Sequence, residues 1–197
     1  MYVVALADCL ISLRLDQFNC RQESPDRFGL DRSTIVNIQI SVQQRFRKMK
    51  CLVNTHPAMF SHPNPRRVLV IGGGDGYVLS EVLKHPEVEH VDHVDLDGAV
   101  VQVCKAHFVW GNAWDDPRVS LHIADGAEFI KNATAGSYDV IIQDSSDPFT
   151  WDEESGEKIE LPSKSLYTDE HFENISRALG DKGVFAFQAE VSTIWCW

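Results

Sequence analysis

The sequence is short of basic residues: 18 Lys and Arg stand against 29 Asp and Glu, for a net charge of −11. That deficit argues against a nucleic-acid surface, which needs clustered cations, and suits a small cationic substrate. No apolar run reaches membrane-spanning length, so no membrane partner is expected. Val3 to Ile11 is mostly apolar, but Asp8 interrupts it and no basic residue precedes it, which argues against a signal peptide. Cysteine occurs five times (Cys9, Cys20, Cys51, Cys104, Cys196), an odd number without a Cys-x-x-Cys pair. Neither a disulfide framework nor a zinc site is expected, and a reducing, cytoplasmic compartment is. His90 and His93 fall on opposite faces of one strand and so do not share a metal. The basic run Arg45 to Lys50 is too short to serve a nucleic acid and reads as a solvated face.

What is present is organised around Arg66 to Asp97. Val68 to Ile71 is an apolar run too short for a buried helix, and glycines cut it off at once. It reads as a strand buried on both faces, as in a parallel sheet. Gly72, Gly74 and Gly76 follow with alternating spacing, then Val78, Leu79, Val82 and Leu83 recur at helical spacing. Strand, glycine loop and helix make the nucleotide-binding corner of a doubly wound α/β sheet. Tyr77, standing where a P-loop needs Lys, excludes that motif. Asp75 puts a carboxylate where a pyrophosphate would rest, and Asp95 closes the next strand nineteen residues after Gly76, where an acid accepts hydrogen bonds from ribose. Together they favour an S-adenosyl compound, a sulfonium cation, over NAD. The alternative is a glycine turn that holds no ligand.

The pattern then repeats. Strand Arg67 to Ile71 leads to helix Gly76 to Lys84, strand His90 to Asp95 to helix Gly98 to Phe108, and strand Arg118 to Ile123 to helix Gly126 to Asn132. Strand Tyr138 to Gln143 is followed by a polar loop, helix Thr168 to Leu179 and strand Gly183 to Gln188. Such βα units imply a parallel sheet with helices on both faces and a ligand at the carboxyl ends of the strands. Those ends carry Asp75, Asp95, Asp125, Asp144 and Gln188. The fourth strand runs into Asp144-Ser145-Ser146-Asp147-Pro148, where Pro148 stops the strand and both acids can face the crevice. Turn-making alone is the other use of such residues. A short helix is expected between Cys51 and Asn64. Before it, only Ile35 to Val42 reads as a strand and Ser24 to Arg27 as a turn, so residues 1–50 form an unassigned segment ahead of a domain over 51–197. Trp110 and Trp114, at near-helical spacing, are expected to pack.

From Cys51 to Glu190 the sequence resembles the spermidine synthases and related aminopropyltransferases. The matching residues are His62-Pro63-Asn64-Pro65, Val70 to Gly76, Asp95-Leu96-Asp97, Asp125-Gly126, Asp139 to Ile142, Asp144 to Pro148, Leu166-Tyr167 and Gln188. The resemblance implies a Rossmann-like fold of the S-adenosylmethionine-methyltransferase type, usually closed by a last antiparallel hairpin that this sequence lacks. It implies transfer of an aminopropyl group from decarboxylated S-adenosylmethionine to putrescine or a related amine, giving spermidine and methylthioadenosine, with no prosthetic group and no metal. Gly72, Gly74, Asp75, Asp95, Asp125 and Gly126 would bind the nucleoside donor, Asp75 at its tail, Asp95 at its ribose hydroxyls, Asp125 and Gly126 at the adenine. Asp144 would be the general base, and Ser145, Asp147 and Gln188 would help Asp144 to bind the amine. A homodimer is also implied.

The departures are specific. Relatives carry an Asp-Glu-x-x-Tyr-x-Glu segment where this chain reads Arg47-Lys48-Met49-Lys50-Cys51-Leu52, and Tyr77 replaces a glycine. With the chain stopping at Trp197, soon after strand five, the expectation is a truncated or mis-spliced product with one sheet edge exposed and a tendency to self-associate. The alternatives carried are an inactive nucleoside-binding remnant that pairs with a full-length subunit, and an N-methyltransferase on intact S-adenosylmethionine. The loop Phe149 to Ser165 occupies the place of the family's lid and is read as a lid or a solvated acidic loop.

Overall fold

The structure, a computed structural model, describes residues 2–7, 51–152 and 155–189. Its centre is a six-stranded sheet whose strands all pair in parallel. In chain order these are β1 (Tyr2–Ala7), β2 (Arg67–Gly72), β3 (His90–Asp95), β4 (Val119–Ile123), β5 (Tyr138–Asp144) and, after a small hairpin of β6 (Phe149–Trp151) and β7 (Lys158–Glu160), β8 (Leu179–Ala189). The order across the sheet is β1-β8-β5-β2-β3-β4. Helices α2 (Tyr77–Val82) and α3 (Gly98–His107) connect β2 to β3 and β3 to β4, stepping outward one strand at a time. The connection through α4 (Gly126–Lys131) then jumps back over β3 and β2 to start β5 on the other side, and α5 (Asp169–Ala178) leads into β8. The winding therefore reverses between β2 and β5, which is where open α/β sheets form a ligand crevice.

Apolar runs hold this sheet between two helix layers. Val68, Val70, Val91, Val140, Ile142 and Val184 face the helical residues 51–61, which form α1, together with α2 and α3. Leu69, Ile71, Val94, Ile141 and Phe185 face α4 and α5. The alternation of β2 is thus apolar on both faces, as its sequence requires, and each fully buried side chain contributes about 1.5–3 kcal/mol. At the amino ends of the strands, Asp139 accepts hydrogen bonds from the backbone N–H groups of Arg66 and Arg67 at 2.9 and 2.8 Å. That carboxylate stitches the starts of β5 and β2 together, at the end of the sheet opposite the glycine loop.

The expected elements are found with shifted ends. Helix α5 stops at Ala178 because Leu179 is already extended and pairs with Tyr138, and a register irregularity follows before Val184 meets Val140. The expected open edge at strand five is corrected: β1 pairs in parallel along it, from Tyr2 opposite Val184 to Ala7 opposite Ala189. An apolar hexapeptide satisfies backbone groups that would otherwise be left unpaired. The expected strand Ile35 to Val42 and turn Ser24 to Arg27 lie outside the described residues. Among the described residues no helix is long and apolar enough to cross a membrane.

Candidate functional site

At the reversal point β2 and β5 end side by side, Gly72 opposite Asp144, and the Gly73 N–H donates to the Asp144 carbonyl at 2.8 Å. The glycine loop and the Asp144 turn are therefore one joined structure. The carboxylate of Asp144 lies against Gly73, where an added Cβ would come within 3.1 Å of Oδ2. Asp95, closing β3, lies against the next residue: a Cβ on Gly74 would stand 2.8 Å from its Oδ2. Two acids from two strands thus flank consecutive glycines, and side chains there would displace them.

Each sequence-predicted residue has a definite place. Asp75 sits at the loop's turn, and its Oδ1 accepts from the Tyr77 N–H at 3.0 Å. Asp95 Oδ1 accepts from the Asp97 N–H at 2.8 Å, which fixes one oxygen of that carboxylate. Asp125 caps α4, accepting from Ala127 N–H at 2.7 Å and Glu128 N–H at 3.3 Å. The strand before it is tied to the Asp95 carbonyl by the Ala124 N–H at 3.0 Å. Gly126 packs under Ile71 and Leu166, where a Cβ would approach Ile71 Cγ2 to 2.5 Å. Asp144 is partly buried, and the Cys51 thiol of α1 points to its Oδ2 at 4.0 Å. Gln188 is placed by its backbone in β8, one residue beyond the pair Gln143 and Phe187, level with the end of β5.

The Asp144–Asp147 turn rests on a chain of polar contacts that the sequence did not announce. His171 of α5 donates from Nε2 to Gln143 Oε1 at 2.9 Å, and the Gln143 amide donates to Ser145 Oγ and the Leu166 carbonyl, each at 3.3 Å. Ser145 Oγ meets the Tyr167 hydroxyl at 3.2 Å, and Tyr167 donates to the Ser146 carbonyl at 3.1 Å. Ser163 donates to the Asp147 carbonyl at 2.5 Å. Burial, and the negative charges of Asp147 and Asp144, push the Tyr167 hydroxyl above its ordinary pKa despite its bond to Ser145, so it stays a neutral donor. His171 is only 2% exposed, and burial pushes its pKa down to about 4. Its Nδ1 has no hydrogen-bond partner among the described residues. Ser145, expected to touch an amine, spends its hydroxyl inside this chain of contacts.

Beneath the glycine loop the two expected packing tryptophans do more than pack. Trp114 closes the space over Gly76, where a Cβ would fall 2.3 Å from its ring and φ is +73°. Trp110 donates from Nε1 to the Asp75 carbonyl at 2.7 Å. The signal available in the sequence was His93, a polar residue on the strand face occupied by valines. Away from the loop, Asp92 on the opposite face is buried among His122, Tyr138 and His90. Burial pushes its carboxyl up, but their hydrogen bonds outweigh it and hold it below the usual range.

Known proteins share much of this sequence and fold. The chain is 46% identical over 142 residues to spermidine synthase 1 of Hyoscyamus niger, covering 72% of this chain and 41% of that protein. It is 43% identical over 135 residues to the polyamine aminopropyltransferase of Thermococcus onnurineus, covering 68% of this chain and 44% of that one. A crystal structure of a spermidine synthase in complex with the transition-state analogue AdoDATO matches with a TM-score of 0.62 and 38% identity, over 71% of this chain and 44% of that chain. The chain thus spans about two fifths of the length of the curated relatives it matches. The spermine/spermidine synthase domain model matches residues 50–195, three quarters of the chain, and this protein belongs to that family.

Proposed function

We propose that this chain carries the nucleoside-binding and catalytic part of an aminopropyltransferase of polyamine biosynthesis, acting in the cytoplasm, with residues 51–197 as that domain and Tyr2–Ala7 of the preceding segment adding an edge strand to its sheet. The observation that carries the reading is the meeting of the two loops: the carboxylates of Asp95 and Asp144 lie against Gly74 and Gly73 at the sheet's reversal point. Decarboxylated S-adenosylmethionine has a purely cationic tail, which an acid-lined crevice favours over the zwitterion of the intact compound. Asp75 would meet that tail, Asp95 the ribose hydroxyls, and Asp125 with Gly126 the adenine. Asp147, Ser145 and Gln188 would hold a putrescine-like diamine. The attacking amine arrives protonated, so Asp144 takes a proton from it. The nitrogen lone pair then forms a bond to the aminopropyl carbon, and the carbon–sulfur bond breaks with its electron pair passing to sulfur. Spermidine and neutral methylthioadenosine result. No redox partner enters, and proximity with general-base help supplies the rate.

Calorimetric titration of decarboxylated S-adenosylmethionine tests the reading. Micromolar binding, lost at least tenfold in Asp75→Ala and Asp95→Ala, is expected, with labelled spermidine formed from putrescine. Tighter binding of intact S-adenosylmethionine would turn the assignment to a methyltransferase. A second reading, nucleoside binding without transfer, draws on Arg47 to Leu52 standing in place of the relatives' tyrosine and acids; binding without product would favour it.

A further inference from the structure

The buried contacts beneath the glycine loop form a directed relay. Trp114 Nε1 is a donor only, and it meets His93 Nδ1 at 2.8 Å. That nitrogen must therefore carry a lone pair, which places the single proton of a neutral imidazole on Nε2. His93 Nε2 in turn donates to the Gly72 carbonyl at 2.8 Å. His93 is 0% exposed, and burial pushes its pKa down, in keeping with the neutral form. The two rings lie nearly parallel, 5.8 Å apart with a 24° tilt. Trp110, from the same turn of chain as Trp114, pins the Asp75 carbonyl, and its ring is braced by Phe108 and Tyr77 with centroids 4.8 and 4.9 Å away. The carbonyls at both ends of the loop are thus held from below by three ring N–H groups, two direct and one acting through His93.

We propose that His93 and Trp114, with Trp110, are positioning residues for the nucleoside donor: they set the Gly72–Asp75 backbone in the one orientation that presents Asp75 and the loop to the ligand. The inference rests on the donor assignment above. Its physical basis is the fixed position of one buried imidazole. Removing the Trp114 N–H leaves the Nδ1 lone pair unpaired in a dry site, a desolvation cost with nothing to offset it. The ring is then no longer held on both sides, and its Nε2–H is free to swing off the Gly72 carbonyl. A glutamine at 93 keeps an acceptor for Trp114 and a donor for Gly72; a leucine keeps neither.

Four proteins are compared with decarboxylated S-adenosylmethionine: wild type, Trp114→Phe, His93→Gln and His93→Leu. Trp114→Phe keeps an aromatic ring over Gly76 and is expected to weaken donor binding roughly tenfold, as is His93→Leu, while His93→Gln stays within about threefold of wild type. In turnover, the donor KM rises in the two weakened variants and the amine KM stays put. Wild-type affinity in a folded Trp114→Phe, or equal losses in His93→Gln and His93→Leu, overturns the relay. Equal rises in both KM values also overturn it, because they mark general loosening of the fold. If Trp114→Phe does not fold, the His93 pair decides alone. Absence of donor binding by folded wild type strikes the functional assignment itself, an outcome distinct from any of these.

Discussion

On the β2–β3 side of the crevice, the loop backbone is fixed from beneath, by the buried pair Trp114 and His93 acting on the Gly72 carbonyl and by the half-buried Trp110 on that of Asp75. On the β5 side, the Asp144–Asp147 turn is held by hydroxyls near the surface: Tyr167 on Ser145 and Ser146, Ser163 on Asp147. Only the links at Gln143 in that second chain, to His171 and to the Leu166 carbonyl, are buried. Hydrogen bonds between buried groups gain strength from the low dielectric and have no water to replace them, whereas hydroxyl contacts at a rim exchange with solvent at little cost. On the proposed assignment, the side given to the nucleoside is therefore the more rigid and the side given to the amine the more adjustable.

The largest expected effect divides the two sides by chemistry. Asp144→Asn removes the proposed base and keeps the shape of the turn. Transfer should fall about 10²–10⁴-fold with donor affinity unchanged within about threefold. Product formation beside calorimetry measures both, and parallel loss of binding and turnover would mean that Asp144 belongs to the donor side as well.

The second effect is acid sensitivity of the buried link. His171 titrates near 4 when folded and at its ordinary 6.5 when unfolded. As pH falls below 6.5 the unfolded chain takes up the proton first, so stability drops from 6.5 down to about 4 and levels off below. The total is about 3 kcal/mol, from roughly 1.4 kcal/mol per unit of pKa. His171→Gln, which keeps a donor for Gln143 and has nothing to titrate, should show a shallower loss of stability over that window in denaturant titrations. Identical slopes would show that His171 takes up its proton at no cost and that the link is open to water.

The strands were legible where composition forces the matter. Val68 to Ile71 and Val140 to Ile142 must be buried on both faces, and acids or glycines mark where each stops, so the sheet and the line of acids at its carboxyl ends followed from local pattern. What depended on distant partners was hidden. Tyr2–Ala7 becomes a strand only because β8, some 180 residues later, offers it an edge. Trp110 and Trp114 read as packing, since nothing in their own neighbourhood shows that their N–H groups meet Asp75 and His93, 35 and 21 residues away. The loop after Pro148 read as a lid or acidic loop, and it folds into the β6–β7 hairpin with Lys158 over the Phe149 ring at 4.1 Å. Periodicity reports which face is buried, not which polar atom will find which partner.

The smallest effect is the sharpest probe of the adjustable side. Tyr167→Phe deletes one hydroxyl and little volume. Ser145 and the Ser146 carbonyl lose a partner, but both lie close enough to solvent for water to replace it. Stability should therefore fall by only about 1 kcal/mol or less. The turn carrying Asp144 and Asp147 would gain freedom, raising the amine KM about three- to tenfold while the donor Kd holds. A change in donor affinity equal to the change in amine KM would erase the contrast between the two sides, because it would mean that the hydroxyl chain and the indole–imidazole relay brace a single rigid unit through the Gly73–Asp144 hydrogen bond.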